Sequence, residues 1–168
     1  MEIRIVLALC VVLCGALCGK SLSDSARRRA ETLGSIIEAV RRLRVRMTGM
    51  FEPVQSALQH ADSPLFIAVA DGMKGGRSAG EAWEIVRDKA GRRGGPAEYL
   101  LKEDRQALTE LFTDLGQSGR EEQDLLLGGV LQALEALHTT ALAKAGEANR
   151  LYMTLGLLIG LMLALIVI

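Results

Sequence analysis

Few residues in this chain are equipped for chemistry, and their spacing limits what they can do. His60 and His138 are the only histidines, far apart and with no cysteine near either. A lone imidazole without clustered carboxylates or thiolates lacks the company that a general base or a metal ligand needs. Cys10, Cys14 and Cys18 recur at i, i+4 inside an uncharged stretch. On a helix they share one apolar face, where thiols pack as small hydrophobes; Cys18, at the edge of the stretch, is also placed for reversible acylation. No cysteine lies between Lys20 and Arg150. That segment therefore has neither a disulfide framework nor a thiolate metal site, which suits a reducing compartment.

Leu65-Phe66-Ile67-Ala68-Val69-Ala70 followed by Asp71-Gly72-Met73-Lys74-Gly75-Gly76-Arg77-Ser78 has the outline of a strand leading into a phosphate-binding loop. Two positions spoil it. A Walker loop needs glycine where Asp71 stands, so that backbone can cradle phosphate, and lysine where Arg77 stands. Ser78 and Ser118 each precede a glutamate by three residues and read as capping boxes rather than nucleophiles. The residues support no nucleophile–base pair, no cofactor and no metal, so the chain reads as a non-enzyme.

What remains is charge. The run Arg41-Arg42-Leu43-Arg44-Val45-Arg46 comes after Arg27-Arg28-Arg29 and has no interleaved aromatics for base stacking, so nucleic acid is not the expected partner. It could be a solvated helix face near lipid headgroups, a dock for an acidic partner, or a match for this chain's own acidic helices. Lys20–Arg46 carries 8 basic and 3 acidic residues, whereas Glu98–Asp124 carries 3 basic and 8 acidic. The formal net charge of +0 over 168 residues is thus a cancellation of segregated charges. Arg41, Arg42 and Arg44 on one side, and Glu121, Glu122 and Asp124 on the other, are the expected partner-binding residues.

The elements that position these residues are helices. Ile5–Gly19 and Leu151–Ile168 are free of charge. The second stretch, 18 residues long, spans about 27 Å as a helix against roughly 30 Å of hydrocarbon. Within it Gly156 and Gly160 form a G-x-x-x-G pair suited to close helix packing. The first stretch is short enough for a signal-peptide core, but it lacks a clean cleavage site, so its flanks favour a span. We expect membrane helices at 1–19 and 151–168 around a soluble domain at 20–150. Lys and Arg beside the inner ends place that domain in the cytoplasm.

Between the spans, Leu33, Ile36, Ile37, Val40, Leu43 and Met47 recur at helical spacing. Further helices are expected from Pro53, Pro64, Ser78, Pro96 and Ser118. The last carries Leu126, Val130, Ala133, Leu134, Leu137 and Ala141 on its inner face. Leu65–Ala70 is the best strand candidate, yet no segment sustains a period of two. The fold expected is an all-α helical bundle in which Trp83, Phe66 and Phe112 are the large anchors.

Phe51-Glu52-Pro53-Val54, Pro64-Leu65-Phe66, Gly80-Glu81-Ala82-Trp83, Leu111-Phe112-Thr113-Asp114-Leu115-Gly116, Gln123, Leu134-Glu135 and the glycine-bearing tail from Leu151 to Gly160 occur in this order. The series resembles the stage III sporulation protein AB family across nearly the whole chain. That family is similar to the inner-membrane platform proteins of type II secretion and type IV pilus systems. The resemblance implies a component of the channel joining mother cell and forespore, in the mother-cell membrane. Its helical domain would dock a secretion-type ATPase and other channel proteins, with membrane lipid around its spans and self-association into a homo-oligomer left open. A membrane-bound regulatory adaptor outside any secretion apparatus is the alternative. The Arg-rich first helix and the Gly91–Gly95 loop depart from the family pattern.

Overall fold

The computed structural model describes residues 24–167, with the side chains of 148, 149, 152, 153 and 156–167 excepted. The expected span at 1–19 and its three cysteines lie outside the described residues. Glu31–Thr139 forms one compact unit, and residues 24–30 and 140–167 belong to a second.

All regular structure among the described residues is helical. Helix α1 occupies residues 24–44 and runs into a π-helical turn, Val45–Gly49. After it come α2 (Val54–Gln59), α3 (Pro64–Gly72), α4 (Ala79–Ala90), α5 (Lys102–Asp114) and α6 (Arg120–Val167). Leu65–Ala70, the best strand candidate, lies inside α3, where Pro64 supplies a pre-set first-turn φ.

The periodic positions Leu33, Ile36, Ile37, Val40 and Leu43 of α1 are all buried. The Phe66 and Phe112 rings meet edge to face at 5.4 Å, and Trp83 lies 5.1 Å from Phe112. The Trp83 indole N–H donates to Thr109 Oγ1 at 2.8 Å, which satisfies the one polar atom such a buried ring brings with it. These anchors join α3, α4 and α5. Close packing of α4 on α5 uses Gly80, where a Cβ would come within 3.2 Å of Thr113 Cα.

The helix starts obey local chemistry, with two departures from expectation. Ser78 and Glu81 form a complete capping box at α4. Helix α5 begins at Lys102 rather than Pro96, because residues 91–99 are held as turns and the Leu101 N–H is taken by the Asp104 carboxylate at 2.8 Å. Helix α6 begins at Arg120. In place of a Ser118–Glu121 box, the buried Gln123 amide binds the junction. It accepts from the Gly116 N–H and donates to Asp114 O and Ser118 Oγ.

The inner face of α6 keeps Val130, Leu134 and Ala141 of the six expected positions and differs at the others. Leu127, Val130, Leu131 and Leu134 are buried, while Leu126 is intermediate and Ala133 exposed. Leu125, Leu126 and Leu127 stand in a row, so hydropathy leaves the register open and packing decides it. Among the described residues one helical stretch, Arg120–Glu147, is long and apolar enough to cross a membrane by length and composition. Leu127, Leu131 and Leu134 within it are buried in the bundle. Residues 151–167 continue as helix, with Gly156 and Gly160 in the stretch whose side chains lie outside the described ones.

Candidate interaction surface

The end of α1 is shaped by an opened turn. Thr48 Oγ1 donates back to Arg44 O at 2.8 Å, and the Met50 N–H is shared between Val45 O and Arg46 O, each at 3.2 Å. A π turn of this kind inserts a residue and re-aims the chain beyond it. Phe51 then takes φ 56°, a left-handed conformation that costs a bulky side chain on the order of 1–2 kcal/mol.

Glu52 holds the turn in place. Its carboxylate accepts from Ser56 Oγ at 2.5 Å, Arg46 Nη1 at 3.0 Å and His60 Nδ1 at 2.9 Å. The Ser56 hydroxyl, then the Arg46 guanidinium and the His60 ring, lower its pKa to about 2 despite opposing desolvation. His60 is thereby committed to the turn.

Several apolar side chains at this turn face solvent. Val45 is 57% exposed, Met50 65% and Phe51 71%, and Leu125 on α6 reaches 75%. The Arg120 guanidinium lies 4.3 Å from the Phe51 ring centroid, a cation–π contact linking the loop to the start of α6. One shallow depression runs past Arg42, Val45 and Met50, another past Thr48, Asp124 and Leu125. A third, between α1 and α6, shares Val45 with the first and Thr48 with the second. The exposed apolar residues therefore border one continuous face, rimmed by charge.

Most of the expected docking residues answer to each other or to neighbours within the chain. Arg44 donates from Nε and Nη2 to the two oxygens of Asp124, both at 2.7 Å. Arg41 bridges Glu38 at 2.7 Å and Glu135 at 2.6 Å, and Arg42 reaches Asp62 at 2.6 Å. These bonds raise the pKa of Arg41 and Arg44 and lower that of Asp124. Glu121 and Glu122 are exposed and have no ion pair among the described residues. The apolar half of the face, Val45, Met50, Phe51 and Leu125, was not expected, because single apolar residues in a charged segment look like core. Phe51 before the Glu52-Pro53 pair was the one available signal.

The loop that imitates a phosphate cradle is the end of α3 and a glycine turn. Arg77 there donates to Gly72 O and Lys74 O, and Ser78 caps α4. No group of three or more potential metal ligands occurs among the described residues.

A solved structure of a stage III sporulation protein AB resembles this one with a TM-score of 0.60 at 24% identity, covering 71% of this chain and 97% of that chain. At that identity the likeness concerns the fold. No curated protein sequence matches the chain. The sequence profile of stage III sporulation protein AB matches residues 4–168. The chain therefore belongs to the stage III sporulation protein AB family, which gives it a role in sporulation.

Proposed function

We propose that the protein is a non-enzymatic, membrane-anchored assembly component of the channel between mother cell and forespore. Its helical domain lies on the cytoplasmic side of the mother-cell membrane and docks a secretion-type ATPase together with channel subunits. The observation that carries this reading is the exposed face of Val45, Met50, Phe51 and Leu125, in which a strained backbone holds an aromatic ring in solvent. Strain kept at an exposed site serves something other than the fold. Exposed aromatic and arginine side chains are the usual anchors of protein interfaces.

Anchorage is supported by the uncharged run from Leu151 to Ile168. The test is co-purification from native membranes of sporulating cells. Wild-type protein should bring down an ATPase and channel proteins, and a Phe51→Ala, Leu125→Ala variant should bring down far less at equal abundance. Retention of the same partners by that variant would remove the face from the mechanism. Recovery of no ATPase with wild type would favour the regulatory adaptor. Reporters fused at residue 1 or 168 that stay cytoplasmic would overturn the orientation.

A further inference from the structure

Arg41, Arg42 and Arg44 of α1 and Arg46 of the π turn all contact carboxylates inside the Glu31–Thr139 unit. Two groups of charge do not pair in this way among the described residues. Arg92, Arg93 and Lys102 sit at the N-terminal end of α5, and Asp114, Glu121 and Glu122 at its C-terminal end. All six are exposed and have no ion pair among the described residues. Glu98, Glu103 and Asp104 against Arg92, Arg93, Lys102 and Arg105 leave the basic end at +1, and Arg120 leaves the acidic end at −2, so each group keeps its sign. Helix α5 has 13 residues and is therefore about 20 Å long, so the groups cannot meet within one chain. Lys102 and Asp114 are also at the wrong poles of the helix dipole, which costs the fold a little stability.

The basic group is built rigidly. The Ala97 N–H donates to Ala90 O at 2.9 Å, the Gly95 N–H to Arg92 O at 2.8 Å and the Gly94 N–H to the Glu98 carboxylate at 2.7 Å. A Cβ at Gly95 would fall 2.2 Å from Ala90 O, so the turn admits only glycine there. Arg92 and Arg93 are thus presented outward on a fixed turn, with little backbone entropy left to lose on docking.

We infer that the Arg92–Arg93 turn of one copy docks on the Glu121–Glu122 end of a second copy, in a head-to-tail contact. An anionic lipid surface or a nucleic acid would engage the basic end and be repelled by the acidic one. A second copy satisfies both, and the chain's zero net charge leaves no overall repulsion between copies. Contacts of this heterologous kind build a row of copies, or a closed ring where the rotation allows. Exposed pairs are individually weak, so the association is salt-sensitive.

The test uses the full chain in neutral detergent micelles, with sedimentation velocity at low and high salt. Wild type should associate at low salt and disperse at high salt. Arg92→Glu with Arg93→Glu, or Glu121→Arg with Glu122→Arg, should each weaken association by about tenfold or more. The mixture of these two variants, and the chain carrying all four changes, should associate again. Glutamine replacements at Arg93 and Glu122 serve if a reversal disturbs thermal unfolding. Wild type that stays monomeric at low salt, or a four-fold swap that fails to restore association, overturns the inference. Loss with the arginine reversal alone would assign the turn to a different acidic surface and equally overturn it.

Discussion

Arg44 and Asp124, 80 positions apart, meet in a two-pronged ion pair with both N–O distances at 2.7 Å, and this pair ties the end of α1 to the first turns of α6. The basic and acidic segments of the sequence are therefore partly each other's partners. Parallel donation by a guanidinium fork fixes orientation as well as distance, which a lysine could not do. It positions Thr48 beside Asp124 and Leu125, and so sets the shape of the exposed face.

Replacing Asp124 by Asn should lower the thermal unfolding midpoint. The Arg44 bond depresses the Asp124 pKa, so its contribution is fully present above the ordinary carboxylate range and disappears as pH falls through the depressed value. Both side chains are about two-fifths exposed, so the difference from wild type should also shrink in high salt. A deficit that is the same at low and high salt would mean that packing, rather than the ion pair, is lost.

Glu52 gives a second pH signature. Its pKa is lowered from 4.5 to about 2, chiefly by the Ser56 hydroxyl and the Arg46 guanidinium. The stabilisation is whole above the ordinary value and is lost between there and about 2. Glu52→Gln should therefore be less stable than wild type at neutral pH and converge with it in strong acid. Parallel melting curves across the acid range check this.

How far the sequence led depends on whether the decisive contacts were local. The Ser78–Glu81 box, Pro64 at the head of α3 and the stripe from Leu33 to Leu43 depend on neighbours within a turn or two, and all three were readable. The start of α5 was misplaced because Pro96 looks like a helix start, whereas the cap at Leu101 comes from Asp104, inside an otherwise polar turn. The face of α6 was readable at Val130, Leu134 and Ala141 but not at its start, where three consecutive leucines offer three faces. The exposure of Val45, Met50 and Leu125 was invisible, since apolar residues are buried more often than not and only the fold shows which are excluded. Arg44–Asp124 joins segments that no periodicity links.

Trp83 is buried between α3, α4 and α5, so its truncation to Ala should cost about 3–5 kcal/mol. The loss includes the hydrogen bond to Thr109, whose hydroxyl also donates to Arg105 O. Equilibrium denaturation of the full chain measures it, and an unchanged midpoint would show that these helices do not share a core.

Gly95→Ala tests the rigid turn. The new methyl would meet the Ala90 carbonyl oxygen, a backbone atom that also accepts the Ala97 N–H and cannot easily yield. Overpacking of this sort costs about 1–3 kcal/mol. The same substitution at Gly129, inside α6 where a Cβ meets nothing within 4 Å, is the control and should not lose stability.

Phe51 allows strain and contact to be separated. Phe51→Ala removes the ring and its contact with Arg120 but keeps a Cβ at φ 56°. Phe51→Gly removes both the ring and the steric cost of the left-handed backbone. The glycine variant should therefore be more stable than the alanine variant by about 1 kcal/mol, the usual scale for that strain. Both should lose partner capture equally, because the ring is what a partner would bury. If the glycine variant proves the less stable of the two, the backbone at Phe51 is not strained. If the alanine variant keeps its partners, the exposed ring serves the fold rather than docking.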